Sequence, residues 1–357
     1  MATLLHKFWA RCYHAWQSLR ASLGRPSPKM REERRTEAGE DFLKYVCDAG
    51  GSLPRGKMSK VMRRLNLDEV TLAAAIGRLA LDGMLTVGEQ FTLTAKGREA
   101  ALKLIRAHRI YEQYLAEHSG YAPTEWHQRA HRMEHHISKD EQERYVSLLG
   151  NPLYDPHGDP IPTDSLAMAP ARHTAQSPLP NTYWRIAHVE DDDADIFQRI
   201  LQTGLAKDAV IHVLSINGKR FSFRYEGETF QLPTKTLGAL DLIPLTADEA
   251  HAEWPVETFR LHHLGSHEKA RIVGLSPACR GALRRRLLDL GFVRGSRVSV
   301  AMHSPMGNPT AYVVRGTTIA LRQDQARYIL AVPASSEGTQ KDEQSSKSKV
   351  KNLDSNV

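Results

Sequence analysis

Two groups of histidine and glutamate at helical spacing constrain this chain more than any other feature. The first group is His108 and Glu112, which are four residues apart. The second group lies at positions 127, 131, 134 and 135. Side chains at such spacings lie on one face of a helix. Two such faces could bring together six ligands for Mn(II), Fe(II), Co(II), Ni(II) or Zn(II). These candidate ligands are His108, Glu112, His127, His131, Glu134 and His135.

The alternative for these residues is a solvated polar face, because the chain has 17 histidines to place. The set contains no cysteine, which argues against a closed structural zinc site. Helices are predicted at about 97–120, 123–136 and 138–149. Prolines then interrupt the chain, and residues 163–180 have the composition of a linker.

Residues 36–100 have the element order of a winged helix-turn-helix. After a charged linker near 29–38, a helix opens at Glu40 and is followed by KMSKVMRRLNL and VTLAAAIGRLALDGML. The segment MLTVGEQFTLTAKG then alternates apolar and polar residues, as a β-hairpin does. Helix, turn, helix and hairpin together favour a DNA-binding fold.

The predicted recognition helix is poorly equipped to read DNA. It begins with Asp68 and Glu69, and residues 36–103 hold ten Lys/Arg against nine Asp/Glu. Because phosphate contacts carry much of DNA affinity, both DNA binding and a docking role for this fold stay open. The candidate DNA contacts are Lys57, Lys60, Arg63, Arg64, Thr71 and Arg78.

The second half of the chain contains an internal repeat. Arg185-Ile186 matches Arg271-Ile272, and GLAKDAVIHV from Gly204 matches GFVRGSRVSV from Gly291, at offsets of 86 and 87 residues. The repeat predicts two small β-barrels of one kind, at 181–246 and 266–333. The acidic stretch after the first strand could add metal ligands or be a solvated loop; its donors are His188, Glu190 and Asp191–Asp193.

The two ends of the chain differ from the middle. Residues 1–35 hold eight Lys/Arg against two Asp/Glu, which is most of the net charge of +7. Apolar residues at helical spacing predict an amphipathic basic helix over 1–28, for a membrane surface, a metal transporter or a protein partner. Residues 334–357 are polar and predicted to be disordered. The three widely spaced cysteines and the lack of a long apolar run fit a cytoplasmic protein, at most peripheral to the inner face of the membrane.

The run HRIYEQYL–HSGY–WHQRAHRMEHHIS–LLGNPLYDPHGDPIPT resembles the metal-binding and dimerisation domain of the DtxR/MntR repressors, and the resemblance covers about 38–165. It implies a homodimer and a divalent metal, Mn(II) or Fe(II). It also implies that Asp41 joins the six ligands named above and links the DNA-binding head to the metal, although Asp41 could equally be a favourable helix-dipole partner. The stretch DPHGDPIP is interpreted as a structured turn outside the ligand set.

The C-terminal half also resembles known domains. RRRLLDLGFVRGSRVSVAMHSPMGNPTAYVVRGTTIALRQDQARYI is similar to the FeoA domain of ferrous-iron transport, with an SH3-like fold. Residues 181–246 are similar to the SH3-like third domain of some DtxR-like repressors. With the metal domain at 101–165, the expected fold class is a multidomain α+β chain with a winged helix, a helical metal-binding and dimerisation domain and two SH3-like barrels.

Three classes of function follow from these features. The first is a dimeric Mn/Fe-responsive transcriptional regulator that binds operator DNA and represses metal-uptake genes. The second is a metal-sensing module associated with a metal-ion transporter, with a degenerate DNA-binding head. The third, an enzyme with a hydrolytic metal site, has little support, because the sequence shows no nucleophile–base set and no phosphate-binding loop.

Overall fold

The computed structural model describes residues 28–170, 177–191 and 193–334. The predicted helix at 1–28 and the predicted disordered tail at 334–357 lie outside this part of the chain, apart from one boundary residue each. The described residues form two compact units. Unit 1 comprises those within Met1–His108, His131–Gln142 and Pro162–Met168, and unit 2 those within Arg109–Ala130, Glu143–Ile161 and Ala169–Val357.

The fold is a mixture of helices and antiparallel sheets, so the predicted α+β class is confirmed in its coarse form. Within the described ranges, no helix has both the length and the apolar character that a membrane crossing requires.

Unit 1 begins with three helices and a small sheet. The helices are α1 (Pro28–Asp48), α2 (Met58–Leu65) and α3 (Glu69–Leu81), and the strands are β1 (Ser52–Pro54), β2 (Leu85–Val87) and β3 (Gln90–Leu93). The antiparallel strand order is β1-β3-β2. One apolar core joins these elements; its largest members include Phe42, Leu43, Val46, Leu72, Ile76, Leu79 and Phe91.

Helix α1 begins earlier than the sequence analysis predicts. The stretch near 29–38, expected to be a linker, consists of helical turns that continue into the buried face at Ala38 and Phe42. Arg, Glu and Met are good helix formers, and Pro28 occupies the first helical position, which proline favours. The high charge therefore marks a solvated part of a helix, and the linker prediction is wrong.

Three further helices follow. They are α4 (Ala95–His118), α5 (Pro123–Met133) and α6 (Lys139–Leu149). Helix α5 ends three residues before its predicted end at 136, because the backbone N–H groups of His136 and Ile137 both donate to the carbonyl of Met133. This turn, rather than a continuing helix, carries Glu134 and His135.

Unit 2 contains two antiparallel sheets. The first is formed by β4 (Thr182–Val189), β5 (Val210–Ile216), β6 (Arg220–Tyr225), β7 (Glu228–Pro233) and β8 (Leu240–Leu245). The second is formed by β9 (Phe259–Arg260), β10 (Lys269–Leu275), β11 (Arg297–His303), β12 (Thr310–Val314), β13 (Thr317–Leu321) and β14 (Ile329–Pro333). The helices of this part are α7 (Ala194–Thr203), α8 (Ala247–Glu253), α9 (Gly281–Asp289) and α10 (Gln323–Ala326).

The two sheets share one topology, as the internal repeat predicts. Their strand orders are β7-β6-β5-β4-β8 and β13-β12-β11-β10-β14, with β9 added at the edge of the second. Their pairing registers shift between Ile186 and His188 and between Ile272 and Gly274, positions 86 residues apart. The strand pairing of the described residues leaves both sheets open, so closure into barrels is not confirmed.

Candidate metal centre

Unit 1 gathers four of the predicted ligands into one cluster. Asp41 projects from α1, His131 from the last turn of α5, and Glu134 and His135 from the turn that follows. One donor atom of each lies within 4.8 Å of the others. We call this set centre 1.

The donor spacing in centre 1 suits a divalent ion. His131 Nδ1 lies 3.1 Å from Glu134 Oε1 and 3.8 Å from Asp41 Oδ1, while His135 Nε2 lies 3.3 Å from Asp41 Oδ1. Ligands about 2.0–2.1 Å from a tetrahedral metal are separated from one another by roughly 3.4 Å. The buried Oδ1 of Asp41 accepts no hydrogen bond of acceptable geometry from the described residues, as a ligand atom facing an absent cation would.

Neighbouring groups hold the carboxylate of Glu134 in centre 1 ionised. Burial acts to raise the pKa of Glu134, but hydrogen bonds from His108 and His131 outweigh it and hold that pKa well below its ordinary value. Burial acts to lower the pKa of His135, but the carboxylates of Asp41 and Glu40 raise it to about 10. Without a metal, the carboxylates therefore keep a proton on His135 that a metal ion must displace.

His108 acts differently from the other predicted ligands of unit 1. Its Nδ1 is hydrogen bonded to Oε2 of Glu134, which also receives the ammonium of Lys44 at 2.9 Å. The other carboxylate oxygen, Oε1, faces His131 and His135. His108 and Lys44 therefore hold the oxygen that points away from centre 1. The sequence analysis did not single out Lys44, which lies one helical turn after Asp41.

Unit 2 brings the remaining two predicted ligands together with two others. His127 Nδ1 lies 3.9 Å from Glu112 Oε1 and 3.1 Å from Asp191 Oδ2. His157 Nε2 lies 3.4 Å from the same Glu112 oxygen and 3.8 Å from the same Asp191 oxygen. Each of the two imidazoles thus lies within 4 Å of both carboxylates, and Glu112, His157 and Asp191 have donor atoms within 4.8 Å of one another. We call Glu112, His127, His157 and Asp191 centre 2.

The DPHGDP turn positions His157 in centre 2. Asp155 Oδ1 accepts the backbone N–H groups of His157, Gly158 and Asp159 at 2.8–2.9 Å, and the carbonyl of His157 accepts the N–H of Val189 in β4. The segment is therefore a structured turn, as interpreted from the sequence. Its histidine, however, was not predicted to meet candidate ligands, because a single histidine in a proline-rich turn has no periodicity.

His157 is buried, with an exposed fraction of 5%. Burial acts to lower its pKa, but the adjacent carboxylate of Glu112 raises that pKa to about 10. In the structure as described, Nε2 of His157 makes no hydrogen bond of acceptable geometry. This buried nitrogen faces two carboxylates, and a metal ion that binds it must displace its proton.

The residues in the acidic stretch around the end of β4 make different contacts. Asp191 joins centre 2, whereas Asp193 caps α7 by accepting the N–H groups of Asp195 and Ile196. His188 lies against Asp159 and Asp241, at 3.6 Å and 3.5 Å. Asp192 lies outside the described residues.

Both side chains expected to read DNA from α3 contact neighbouring carboxylates. Asp68 caps this helix and accepts both the N–H and the hydroxyl of Thr71, at 2.8 Å and 2.7 Å. Arg78 is paired with Glu32 from α1 and lies 3.8 Å from Asp82. The other candidate contacts are exposed on and before α2; they are Lys57, Lys60, Arg63 and Arg64.

Two domains of the chain are similar to known protein domains. Residues 94–163 match the model of the iron dependent repressor metal binding and dimerisation domain, and residues 259–333 match the FeoA domain. The two matches support a DtxR/MntR-type regulator with a FeoA domain toward the C-terminal end.

Individual relatives of the chain agree with these matches. The iron-dependent repressor IdeR of Mycobacterium leprae is 29% identical over 189 residues, which is 49% of this chain and 82% of the relative. A solved manganese-dependent transcriptional repressor in complex with manganese aligns with 28% identity and a TM-score of 0.51, covering 58% of this chain and 100% of that one.

A third relative is of another kind. A probable metal transport system membrane protein of Chlamydia trachomatis is 38% identical over 85 residues, which is 24% of this chain and 19% of the relative.

Proposed function

We propose that this chain is a dimeric, metal-responsive transcriptional regulator that binds operator DNA in the cytoplasm and represses metal-uptake genes. The observation that carries the proposal is centre 1, in which a ligand from α1 meets ligands from the turn after α5. The kinship with iron- and manganese-dependent repressors supports Mn(II) or Fe(II) as the ion. Donors of imidazole and carboxylate type fit both metals.

We propose that each centre binds one divalent ion. We assign Asp41, His131, Glu134 and His135 to the first and Glu112, His127, His157 and Asp191 to the second. A bound ion supplies positive charge that offsets the repulsion between two carboxylates in each centre. His108 is hydrogen bonded to Glu134 in unit 1, and its predicted role as a ligand stays a prediction.

Asp41 is the residue that connects metal binding to the DNA-binding head. It lies on α1 beside Phe42 and Leu43, which pack in one core with Leu72 and Leu79 of α3. A ligand bond at Asp41 therefore favours one placement of α1, and with it one placement of α3. Metal that binds this arrangement more tightly shifts the population toward it.

The element order from α1 to β3 supports a winged helix-turn-helix head. We propose that Lys57, Lys60, Arg63 and Arg64, on and before α2, contact DNA phosphates. The dimerisation domain matched at residues 94–163 supports a homodimer. Two heads held at a fixed separation would read two half-sites. The two sheets of unit 2 support two SH3-like domains, the second of FeoA type.

A second candidate is a metal-sensing module associated with a metal transporter. Two observations favour it: the similarity to a metal transport membrane protein and the engagement of Thr71 and Arg78 with neighbouring carboxylates. The basic segment 1–28, which lies outside the described residues, is the proposed contact with a membrane surface or a transporter.

Selection of genomic fragments by the purified full chain separates the two functions. The selection is run with Mn(II) or Fe(II) and with chelator, at about 150 mM salt because non-specific affinity depends steeply on salt. Discrete sites recovered only with metal are expected for a regulator. Metal-loaded protein that recovers no specific sites would contradict the regulator and favour the transporter-linked module.

The E134A/H135A double variant is the matched control for this selection. It keeps the DNA-binding surface but removes two ligands of centre 1. Metal-dependent recovery should disappear with this variant, while its non-specific binding to DNA should match that of the unmodified chain.

A further inference from the structure

A third cluster of metal-binding side chains lies in unit 2, apart from both centres described above. It consists of Glu228 at the start of β7 and the adjacent pair His262 and His263, which follow β9 in a short 3-10 helix. Their donor atoms lie within 4.8 Å of one another. His263 Nε2 is 2.8 Å and His262 Nε2 is 3.7 Å from Oε1 of Glu228.

Arg260 fixes the carboxylate of this cluster. Its Nη1 donates to Oε2 of Glu228 at 3.0 Å, and its Nε donates to Glu226 at 2.9 Å. Arg260 itself is buried, with an exposed fraction of 2%. Oε2 of Glu228 is therefore occupied, and Oε1 is left facing the two histidines. A carboxylate anchored through one oxygen presents the other as a well-oriented metal ligand.

The backbone of the histidine pair is anchored on both sides. Leu261 and Leu264 flank the pair and are buried in the core of the second sheet. Across from them, the turn between β6 and β7 approaches so closely that a Cβ on Gly227 would lie 2.5 Å from the carbonyl oxygen of Thr258. The cluster thus has little freedom to spread apart.

The exposure of the cluster suits an incoming cation. The side chains of His263 and Glu228 are 53% and 26% exposed, which leaves a path for an ion and room for water ligands. The distances from Oε1 of Glu228 to His263 and His262, 2.8 Å and 3.7 Å, lie on either side of the roughly 3.4 Å that separates ligands around a four-coordinate metal.

We propose that Glu228, His262 and His263 form a third divalent-metal site that bridges the two sheets of unit 2. Glu228 belongs to the first sheet and the histidines follow β9 of the second. Two imidazoles and one carboxylate, with open positions for water, suit Zn(II), Co(II) or Ni(II). An ion held there cross-links the sheets and stabilises their junction.

Titration of the full chain with Co(II) tests this site. We compare the unmodified protein, H262Q/H263Q, and H267Q as a control at an exposed histidine of the same segment. The double variant should bind about one equivalent fewer per chain and lose the visible absorption of that equivalent, whereas H267Q should change neither. An equal number of equivalents in a folded H262Q/H263Q protein would overturn the proposal.

Two further readouts keep the test independent of the proposed function. The single variant H263Q alters a half-exposed side chain and should weaken binding of the third equivalent at least tenfold. Zn(II) should raise the melting temperature of the unmodified chain more than that of H262Q/H263Q, and equal shifts would contradict the site. Metal-dependent DNA selection should be unchanged in H262Q/H263Q, so failure of the third site leaves the regulator untouched.

Discussion

The ammonium of Lys44 lies 2.9 Å from Oε2 of Glu134, on the side of the carboxylate that faces away from the other ligands of centre 1. The side chain of Glu134 is fully buried and that of Lys44 is 19% exposed. His108 binds the same oxygen. Glu134 is therefore positioned to offer a single oxygen, Oε1, to a metal, while a cation and an imidazole hold the other.

Removing the Lys44 charge should weaken metal binding at centre 1. In K44M, Glu134 loses one of the two groups that orient it, and partners of this kind typically contribute 10–100-fold to metal affinity. We expect roughly tenfold weaker Mn(II) binding by calorimetry, with K44R partly restoring it. K60M changes an exposed lysine of α2 and is the control; equal affinities for K44M and K60M would argue against the positioning role.

Removing two ligands should abolish binding at centre 1 only. The double variant E134A/H135A lacks one carboxylate oxygen and one imidazole of the four donors, so metal-dependent change should be lost. Centre 2 contains neither residue and should still bind its ion. Calorimetric titration is expected to show one class of sites missing, with circular dichroism unchanged; binding identical to that of the unmodified chain would refute the assignment of centre 1.

Helical periodicity in the sequence predicted most of the candidate ligands, including Glu134 and His135, which lie in the turn just after α5. His108, Glu112, His127 and His131 all lie on α4 or α5, where side-chain position follows from periodicity. His157 was missed because its place depends on a turn held by three backbone hydrogen bonds to Asp155. A side chain that is placed by a turn of this kind leaves no repeating pattern in the sequence.

The structures of the acidic stretch after β4 and of helix α1 were also only partly predictable from the sequence. The composition of residues 188–193 indicated donors, but only the turn geometry selects Asp191 for a centre and Asp193 for a helix cap. The charged segment near 29–38 reads equally as a linker or as a solvated helix, because helix propensity alone is a weak guide. The internal repeat was predictable because similar residues recur in the sequence at a nearly constant offset.

Gly158 should be indispensable for centre 2. Its φ is +112°, and a Cβ there would lie 2.2 Å from the carbonyl oxygen of Ala187. G158A combines backbone strain with overpacking, so we expect a loss of at least about 2 kcal/mol in the free energy of unfolding. Because His157 is the preceding residue, metal binding at centre 2 should weaken as well.

Gly150 provides the comparison for that substitution. Its φ is +69°, and no atom lies within 4 Å of a Cβ built there. G150A should therefore cost only about 1 kcal/mol, which is the strain of the left-handed conformation without a clash. Chemical denaturation of both variants measures the difference, and similar losses would show that the contact with Ala187 is unimportant.

Arg260 should be the most costly buried charge to remove from unit 2. It pairs with Glu226 and Glu228 and also donates to the carbonyl of Thr203. R260M leaves both carboxylates without their cation, and breaking a buried pair in this way typically costs about 3–5 kcal/mol. The triple variant R260M/E226Q/E228Q removes the stranded charges and should recover part of that loss in urea denaturation. A triple variant no more stable than R260M would contradict this account.

Releasing Arg78 should strengthen DNA binding. Glu32 is paired with the guanidinium of Arg78 on α3, and both side chains are 54% exposed. E32Q removes the carboxylate that competes with DNA phosphate for this guanidinium, and exposed pairs of this kind contribute about 0.2–1 kcal/mol. We expect DNA affinity to rise roughly two- to fivefold at fixed salt, with a steeper salt dependence because one more cation contacts phosphate.

Glu33 separates this effect from a general change in charge. It lies next to Glu32 in α1 and pairs with Lys29, at 3.8 Å, rather than with α3. E33Q changes the net charge by the same amount but leaves Arg78 engaged, so its effect on affinity should be smaller. Fluorescence anisotropy with one duplex measures both variants; equal gains would mean that net charge, and not the freed guanidinium, sets the affinity.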